Sequence, residues 1–586
     1  MKFLGQIAAT IIGLFLFCMI AFFGIVIIGA IFGSQEETVS IKDDSVIELD
    51  LSDVKLDYAG RVNFSDFNYF KAEHNGVTDV INAIKYAKTD SKIKGISLVN
   101  PSNELGIVQV KAIHDALIDF KKSGKFIYAY ADYFSQKEYY LCAPATRIVM
   151  NPVGEMDFKG IAAELMFFKD LQDKAGVKME VIRHGKYKSA VEPFLENGMS
   201  DANREQMTTL LQSLWNAVAT DLCADRHLSL SQINDIAATL GARTPQKAKA
   251  VHLIDQVAYE DQFNDLIRKE LKVKKDEKIH SVSITDYANH VATTPDEEST
   301  DDTIAIVYAQ GEISSGEGDV NVIAEGAMRR ALRKAREDED VKAVVLRVNS
   351  PGGSALTSEL IWRELELTRK VKPLIVSMGD YAASGGYYIS CNADKIFAEK
   401  STITGSIGVF GIFPNAAALS SRMGIHSEVV STHPQAADYS PFRPIDPFFK
   451  AYAQESIERV YTIFANRVAV GRKMTFAQVD AIGQGRVWSG ADALKIGLVD
   501  AIGGLDDAIV EAAKRAKISK YQTQDYPEYE KSLSDLFQQM GLPFAKTSSQ
   551  IIEAELGKEN YRNWTKLKKW SQQKGIQTRL PFEIQF

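Results

Sequence analysis

Residues 374–388 read Leu-Ile-Val-Ser-Met-Gly-Asp-Tyr-Ala-Ala-Ser-Gly-Gly-Tyr-Tyr. The apolar run at residues 374–377 predicts a buried strand, and the segment after residue 385 is compatible with a helix. The small residues around Ser384 therefore predict a tight strand-to-helix turn. Such a turn exposes a serine hydroxyl at the start of a helix, as in a nucleophile elbow. An ordinary turn rich in alanine and glycine is equally compatible with this stretch.

The sequence before this stretch alternates apolar runs with helical patterns. Residues 304–308 and 341–348 predict strands, whereas residues 328–335 and 356–367 predict helices. This alternation is typical of parallel βαβ units. We therefore predict an α/β fold.

The chain also matches itself at a constant offset of 248 residues. Asp132-Tyr133 corresponds to Asp380-Tyr381, and Tyr139-Tyr140 corresponds to Tyr387-Tyr388. A repeat of this length is too long for a solenoid and predicts two copies of one domain. The chain is accordingly predicted to have four parts. They are an anchor at residues 1–40, a first copy at 41–295, a second copy at 296–525 and a tail at 526–586, the last as either a surface helix or a solvated end.

Composition excludes several classes of protein. The 586 residues carry a net charge of −8 and no long basic block, which argues against a nucleic-acid binder. The four cysteines form no C-x-x-C pair, and no His/Asp/Glu cluster has the spacing of metal ligands. The glycine-rich segment at residues 483–486 lacks the Lys-Ser/Thr of a phosphate loop. No metal or cofactor is therefore implied.

The amino-terminal segment predicts a membrane anchor. Residues 7–32 are almost wholly apolar, and a helix of about 20 such residues spans a bilayer. A cleaved secretory signal is the alternative, although the apolar run is long for one. Lys2 precedes the run and acidic residues follow it, so the positive-inside rule places the body of the protein on the extracytoplasmic side of the inner membrane.

A serine nucleophile needs a base, and Lys188 is the candidate. None of the nine histidines lies in a recognisable partner motif, and a lysine serves as a base when burial lowers its pKa. At the repeat offset, Lys188 aligns with Ala436 and Ser384 aligns with Gln136. One copy thus has the lysine and the other the serine, which suggests a division of labour. The alternative is a surface lysine, as expected of Lys186.

A second difference between the copies concerns a glycine turn. The second copy has Gly352-Gly353 where the first has Glu104-Leu105. Two glycines allow backbone N–H groups to point into a site, as an oxyanion hole requires, and Gly385 after the serine supplies another N–H. A plain Pro-Gly turn is the alternative.

Four segments together resemble the signal peptide peptidase A family in its long form, also called protease IV. They are Asn349-Ser-Pro-Gly-Gly-Ser354, Gly379-Asp-Tyr-Ala-Ala-Ser-Gly-Gly-Tyr-Tyr388, Thr404-Gly-Ser406-Ile-Gly408 and Tyr187-Lys-Ser-Ala-Val-Glu-Pro-Phe194. The resemblance covers roughly residues 43–525. It implies tandem crotonase-like (ClpP-like) domains and a membrane-bound homotetramer that degrades signal peptides after their release from exported proteins.

The same resemblance implies a role for each site residue. Ser384 would be the nucleophile, Lys188 the general base and Ser406 the residue that orients the lysine amine. Gly353 and Gly385 would form the oxyanion hole. Two other functions remain open: a crotonase-type enzyme acting on acyl thioesters, and a membrane scaffold without catalytic activity.

Overall fold

The computed structural model describes residues 12–20, 22–24, 41–63, 74–274, 277–294, 300–437, 439–530 and 577–579. The predicted membrane anchor falls largely outside these residues. Within them, we find no helix with both the length and the apolar character needed to cross a bilayer.

Most strands are short and belong to one of three large sheets. In chain order they are β1 Ser45–Glu48, β2 Arg61–Asn63, β3 Ile93–Val99, β4 Phe126–Ser135, β5 Arg147–Asp157, β6 Lys178–His184, β7 Gln256–Val257, β8 Ser281–Ser283, β9 Thr303–Gln310, β10 Glu312–Ile313, β11 Val322–Ile323, β12 Val341–Ser350, β13 Gly352–Ser354, β14 Leu374–Ala383, β15 Lys395–Ala398, β16 Ile403–Gly405, β17 Val409–Asn415, β18 Val487–Ser489, β19 Ala501–Ile502, β20 Gln522–Tyr526, β21 Glu528–Glu530 and β22 Gln577–Arg579.

The helices that follow residue 74 alternate with these strands. They are α1 Val77–Thr89, α2 Ile107–Lys121, α3 Gln136–Cys142, α4 Lys169–Ala175, α5 Glu192–Leu195, α6 Asp201–Arg226, α7 Leu230–Ala238, α8 Pro245–Ala250, α9 Glu260–Leu271, α10 Ile284–Thr293, α11 Glu325–Glu337, α12 Ala355–Arg369, α13 Gly385–Ser390, α14 Ala417–Arg422, α15 Pro447–Arg472, α16 Phe476–Ile482, α17 Gly490–Lys495 and α18 Leu505–Ala516.

Two of the sheets have the parallel topology that the sequence predicts. The first has the order β7-β5-β4-β3-β1-β8, and each neighbouring pair is parallel. The second has the order β18-β16-β14-β12-β9-β20, with only β18 antiparallel to its neighbour. Apolar side chains of the strands and of the flanking helices form a buried core in each copy. The predicted α/β fold is confirmed.

The sequence repeat is also a repeat of structure. The bounds of α1, α2 and β4 recur 248 residues later as those of α11, α12 and β14. These three elements match because the same apolar positions face the core in both copies. The domain limits stay predictions, although β20 extends past the predicted limit at 525 to Tyr526 and pairs with β9.

The third sheet combines elements from both copies. Its order is β11-β10-β13-β22-β17-β6, and β6 of the first copy pairs antiparallel with β17 of the second along seven residues. The two described tail segments, β21 and β22, are paired strands. Most of the predicted tail at 526–586 lies outside the described residues, so both alternatives for it stay predictions.

A buried ion pair connects the first copy to strand β12 of the second sheet. The Arg347 guanidinium donates to a carboxylate oxygen of Asp57 at 2.7 Å, and both side chains are almost fully buried. Arg347 also donates to Ser377 Oγ and to the Met378 carbonyl oxygen. Removing one partner would leave a buried charge without compensation, which is strongly destabilising.

We predict that Asp57→Ala lowers the free energy of unfolding by about 3–5 kcal/mol. Asp506→Ala is the matched control, because Asp506 also pairs across the copies, with Lys85 at 2.6 Å, but both of these side chains are well exposed. An exposed pair contributes at most about 1 kcal/mol. Thermal unfolding of both variants checks this, and equal losses of stability would contradict the prediction.

Candidate active site

Ser384 occupies the strand-to-helix turn that the sequence predicts. Strand β14 ends at Ala383 and α13 begins at Gly385. Ser384 has φ 56° and ψ −114°, a conformation that residues other than glycine seldom adopt. Its N–H donates to the Gly405 carbonyl oxygen at 2.8 Å, which helps to fix the strained turn.

Small residues follow the serine because the backbone is closely packed there. A Cβ atom on Gly386 would lie 2.8 Å from the carbonyl oxygen of Ser350. Any larger residue would therefore push the turn away from β12, the strand that ends at Ser350. Packing, as well as the turn itself, explains this part of the glycine pattern.

The structure brings three of the predicted site residues together. The Lys188 amine Nζ lies 2.9 Å from Ser384 Oγ and 3.0 Å from Ser406 Oγ. It also donates to the Ser406 carbonyl oxygen at 3.2 Å. All three residues are fully buried, with 0% exposure. A lysine of the first copy and two serines of the second thus meet within one chain, at a distance suited to proton transfer.

Strand pairing and α6 position the lysine. Lys188 follows β6, which is held against β17, and precedes a 3₁₀ helix at Ser189–Val191. The Gln206 amide of α6 donates to the Tyr187 carbonyl oxygen and to Ser189 Oγ, at 3.1 and 2.9 Å. Contacts on both sides of Lys188 therefore restrict the backbone from which its side chain extends.

Two glycines allow backbone to enclose the lysine. A Cβ atom on Gly485, whose φ is +82°, would lie 2.6 Å from the Lys188 backbone nitrogen. A Cβ atom on Gly408 would lie 3.1 Å from Lys188 Cδ. Side chains at either position would widen the space around the amine and admit water.

Burial determines the charge state of this lysine. It lowers the Lys188 pKa from 10.5 to about 7. Among the ion pairs formed by the described residues, none places a carboxylate beside this amine to favour its charged form. A large fraction of the amine is therefore neutral at neutral pH. Lys186, two residues earlier, is exposed and has no such environment.

The Gly352-Gly353 turn has backbone angles that exclude other residues. Gly352 has φ +101° and Gly353 has φ +154°. A Cβ atom on Gly353 would lie 2.0 Å from the carbonyl oxygen of Ile313. These residues begin the short strand β13, whereas Gly385 is the first residue of α13. A plain Pro-Gly turn, the alternative for these residues, does not by itself explain why they form strand β13.

The first copy uses the equivalent of the serine position for structure. Gln136, which aligns with Ser384, is buried, and its side-chain oxygen accepts the N–H of Gly160 at 2.9 Å. Its amide group donates to the Gly160 carbonyl oxygen at 3.2 Å. The glutamine thereby joins the turn to a neighbouring loop, and the position holds no nucleophile.

Asp380 is a residue near the site to which our sequence analysis assigned no role. It lies on β14 four residues before Ser384, and its carboxylate accepts the N–H of Val108 at 2.7 Å, at the start of α2 in the other copy. Burial raises its pKa to about 6. The repeated Asp-Tyr pair marks this position in the sequence. It gives no indication of the hydrogen-bond partner Val108, which lies far away in the sequence.

A buried serine at a strand-to-helix turn, with an amine of lowered pKa in hydrogen-bond reach, defines a serine-type hydrolase. Comparison with protein families gives the particular family. The model for peptidase family S49 matches residues 119–274 and 366–519. The chain belongs to peptidase family S49, and it is a serine-type peptidase with two tandem copies of the family's domain.

Curated relatives agree with this assignment over most of the chain. Protease 4 of Salmonella typhi is 39% identical over 477 residues, which cover 80% of this chain and 76% of the relative. Protease 4 of Haemophilus influenzae is 37% identical, covering 74% and 72%. The chloroplastic serine protease SPPA of Arabidopsis thaliana is 34% identical, covering 74% and 64%.

We predict that Lys188→Met stabilises the protein, and that the gain depends on pH. The folded-state pKa of about 7 lies below the ordinary 10.5, so the unfolded chain binds more protons between these values and wild-type stability rises with pH there. The variant lacks this penalty. Its advantage in free energy of unfolding should fall from about 5 kcal/mol at pH 6 to about 1 kcal/mol at pH 10.

Urea unfolding of the wild type and the variant at both pH values measures this difference. Lys186→Met is the control, because it removes a lysine of the same segment that is exposed and lies outside the buried site. An advantage for Lys188→Met that is the same at pH 6 and pH 10 would show that burial does not lower the lysine pKa.

Proposed function

We propose that this protein is a membrane-anchored serine endopeptidase that uses Ser384 and Lys188 as a catalytic dyad. The observation that supports this most directly is the 2.9 Å separation of Lys188 Nζ and Ser384 Oγ in a fully buried setting. A general base must lie within about 3 Å of the proton it removes and must be uncharged at the working pH. The lowered pKa of the lysine meets the second requirement.

The reaction proceeds through an acyl-enzyme. The neutral Lys188 amine takes the proton of the Ser384 hydroxyl as Oγ attacks the peptide carbonyl carbon. The resulting ammonium gives its proton to the leaving amine, which completes cleavage of the C–N bond. Water then attacks the ester carbonyl carbon as the Lys188 amine takes one of its protons. The ammonium passes that proton to Ser384 Oγ as the C–O bond breaks and the acid product leaves. Ser406 Oγ holds the amine toward the nucleophile throughout.

Two backbone N–H groups, those of Gly353 and Gly385, form the oxyanion hole in this proposal. Gly385 directly follows the nucleophile at the start of α13, where N–H groups have no partner within the helix. Gly353 lies in β13, with a backbone conformation that depends on glycine. Such preorganised donors stabilise the charge that develops on the carbonyl oxygen.

Remnant signal peptides are the substrates that we propose. The four sequence motifs shared with the signal peptide peptidase A family support this, as does the apolar segment at residues 7–32. Within that segment the large side chains of residues 12–20, such as Phe15 and Phe17, are exposed on a helix. An anchor in the inner membrane would bring the extracytoplasmic active site close to apolar peptides that leave the bilayer.

The finer description of fold and assembly also belongs to this proposal. We assign the two α/β units to the crotonase-like (ClpP-like) fold and the protein to a homotetramer, as the family resemblance implies. An exposed apolar surface supports self-association: Phe448 and Tyr452 of α15 are each 60% exposed and line one groove with Val429.

We predict that a fluorophosphonate probe labels the wild type but not Ser384→Ala, because only an activated serine reacts with it. Lys188→Met should lower peptidase activity by about 10³-fold or more, while Lys186→Met should retain it. Activity-based labelling and hydrolysis of a quenched fluorescent peptide measure the two effects. Labelling that persists in Ser384→Ala would reject this nucleophile, and undiminished hydrolysis by Lys188→Met would reject the dyad.

We also predict that kcat/KM rises with pH through about 7 and then levels off. The rise follows deprotonation of the Lys188 amine, whose pKa is lowered by burial, so activity is lost as pH falls below that value. Steady-state rates between pH 5.5 and 9 test this. A profile that is flat from pH 6 to 8 would contradict a lysine base of this pKa.

A further inference from the structure

Asp380 connects the two copies close to the reacting groups, and no step of the proposed reaction uses it. The residue is only 6% exposed. One of its carboxylate oxygens accepts the N–H of Val108 at 2.7 Å, and the other accepts a side-chain N–H of Asn349 at 3.4 Å. One partner therefore lies in the first copy, and the other lies in the strand that leads to the proposed oxyanion hole.

The partner in the first copy is the amino-terminal end of α2. This helix begins at Ile107, and its N-cap residue is Gly106, which has no side chain to accept a backbone N–H. The first N–H groups of a helix lack partners within the helix and carry a partial positive charge. Asp380 supplies an acceptor from the other copy. Burial raises its pKa to about 6, so at higher pH it is a carboxylate whose charge complements the helix end.

The partner in the second copy is Asn349, near the end of β12. Its side-chain oxygen accepts the N–H of Tyr381 at 3.1 Å, while its amide group donates to Asp380. Two neighbouring residues of β14 thus hold the two ends of one side-chain amide. Gly353, the proposed oxyanion-hole residue, follows Asn349 after a short turn. The placement of Asn349 therefore determines where that turn starts.

Two glycines allow these groups to approach each other closely. A Cβ atom on Gly106 would lie 2.2 Å from the carboxyl carbon of Asp380. A Cβ atom on Gly379 would lie 2.9 Å from the side-chain amide carbon of Asn349. A side chain at either position would push the bonded groups apart. Backbone packing on both sides thus preserves this pair of contacts.

The equivalent aspartate of the first copy has a different environment. Asp132 is exposed, and its carboxylate accepts the Tyr130 hydroxyl and a side-chain N–H of Asn151, both at 2.8 Å. Both partners belong to the first copy. The contact across the copies is therefore made by the aspartate of the copy that also carries the serine turn.

We propose that Asp380 is a positioning residue: through Asn349 it holds the Gly353 N–H of the oxyanion hole in place, and through α2 the first copy determines that position. The inference rests on the proposed peptidase function, because it takes the oxyanion hole from that proposal. Asp380 itself touches neither the substrate nor the reacting atoms. Its effect is on rate, since a displacement of about 1 Å in an active site can cost about 100-fold.

An amide at position 380 tests the hydrogen bond with little change of shape. Asp380→Asn keeps an oxygen for the N–H of Val108, but its amide group then faces the amide group of Asn349, and two donors cannot bond. The double variant Asp380→Asn with Asn349→Asp restores the pair. In it, the amide at position 380 donates to the carboxylate at position 349, whose other oxygen still accepts the N–H of Tyr381.

Glu364→Gln is the matched control. It also converts a buried carboxylate of the second copy to an amide, and Glu364 is 5% exposed. The partner of Glu364 is Arg336 of α11, at 2.9 Å, and not the strand that leads to the oxyanion hole. A general loss of stability would therefore appear in this variant as well.

Inhibition by a peptide aldehyde measures the oxyanion hole. Ser384 Oγ bonds to the aldehyde carbon, the π electrons of the carbonyl group move to its oxygen, and Lys188 takes the hydroxyl proton. The adduct places an oxyanion where Gly353 and Gly385 donate, whereas the matching alcohol forms no adduct. Acetyl-Leu-Leu-leucinal and acetyl-Leu-Leu-leucinol are the two probes. The ratio of their inhibition constants does not depend on how much of a variant is folded.

At pH 8 we expect Asp380→Asn to lower the preference for the aldehyde over the alcohol by about tenfold or more, because a displaced N–H stabilises the oxyanion less. The double variant should return to within about threefold of the wild type, and Glu364→Gln should equal the wild type. A preference that Asp380→Asn leaves unchanged, or that the double variant fails to restore, would overturn the proposal.

Hydrogen exchange separates this inference from the proposed function. Mass spectrometry of the backbone N–H groups at residues 349–354 reports how firmly β13 is held, and it needs no catalysis. Asp380→Asn should speed exchange there relative to the wild type and Glu364→Gln, and the double variant should reverse the change. A wild type without peptidase activity would reject the proposed function, while these exchange rates would still judge the contact. Peptidase activity together with exchange that ignores position 380 would retain the peptidase and reject the positioning role.

Discussion

The burial of one amine without a counter-charge is the constraint on which this site depends. Lys188 is fully enclosed, and its amine has two serine hydroxyls and a carbonyl oxygen as neighbours. Water would restore the ordinary pKa of a lysine, so the enclosure must be complete. Glycines at 408 and 485 allow backbone to approach the side chain closely enough to achieve it. The low pKa is thus a property of backbone packing around the site.

This enclosure also explains why the two copies are not interchangeable. The lysine comes from the first copy because β6, the strand before it, pairs with β17 of the second copy. In a symmetric arrangement, the second copy would bring a lysine to the corresponding turn of the first copy. That turn instead holds Gln136, whose amide group bonds to the backbone of Gly160. The first copy therefore contributes the buried lysine, and the second contributes the serine turn.

Local patterns predicted much of this molecule, and long-range pairing accounts for what they missed. The α/β class, the repeat offset and the turn at Ser384 follow from apolar periodicity and small residues close together in sequence. Strand β14 runs to Ala383, beyond the predicted end at residue 377, because its last three residues pair with β16. Strands β13 and β22 have three residues each and no pattern, and they are partners across more than 200 residues. Asp380 bonds to Val108 over a similar separation, so neither contact could be read from its own neighbourhood.

The separation of Lys188 and Ser384 along the chain has a consequence for biosynthesis. Lys188 precedes Ser384 by 196 positions, and Ser406 lies further on. A ribosome-bound nascent chain that ends before the second copy holds the lysine without the two serine hydroxyls that its amine contacts in the folded protein. At a synthesis rate of about 5–20 residues per second, roughly ten to forty seconds pass between the two. The two halves of the site are thus complete only late in translation, once the second copy has been synthesised.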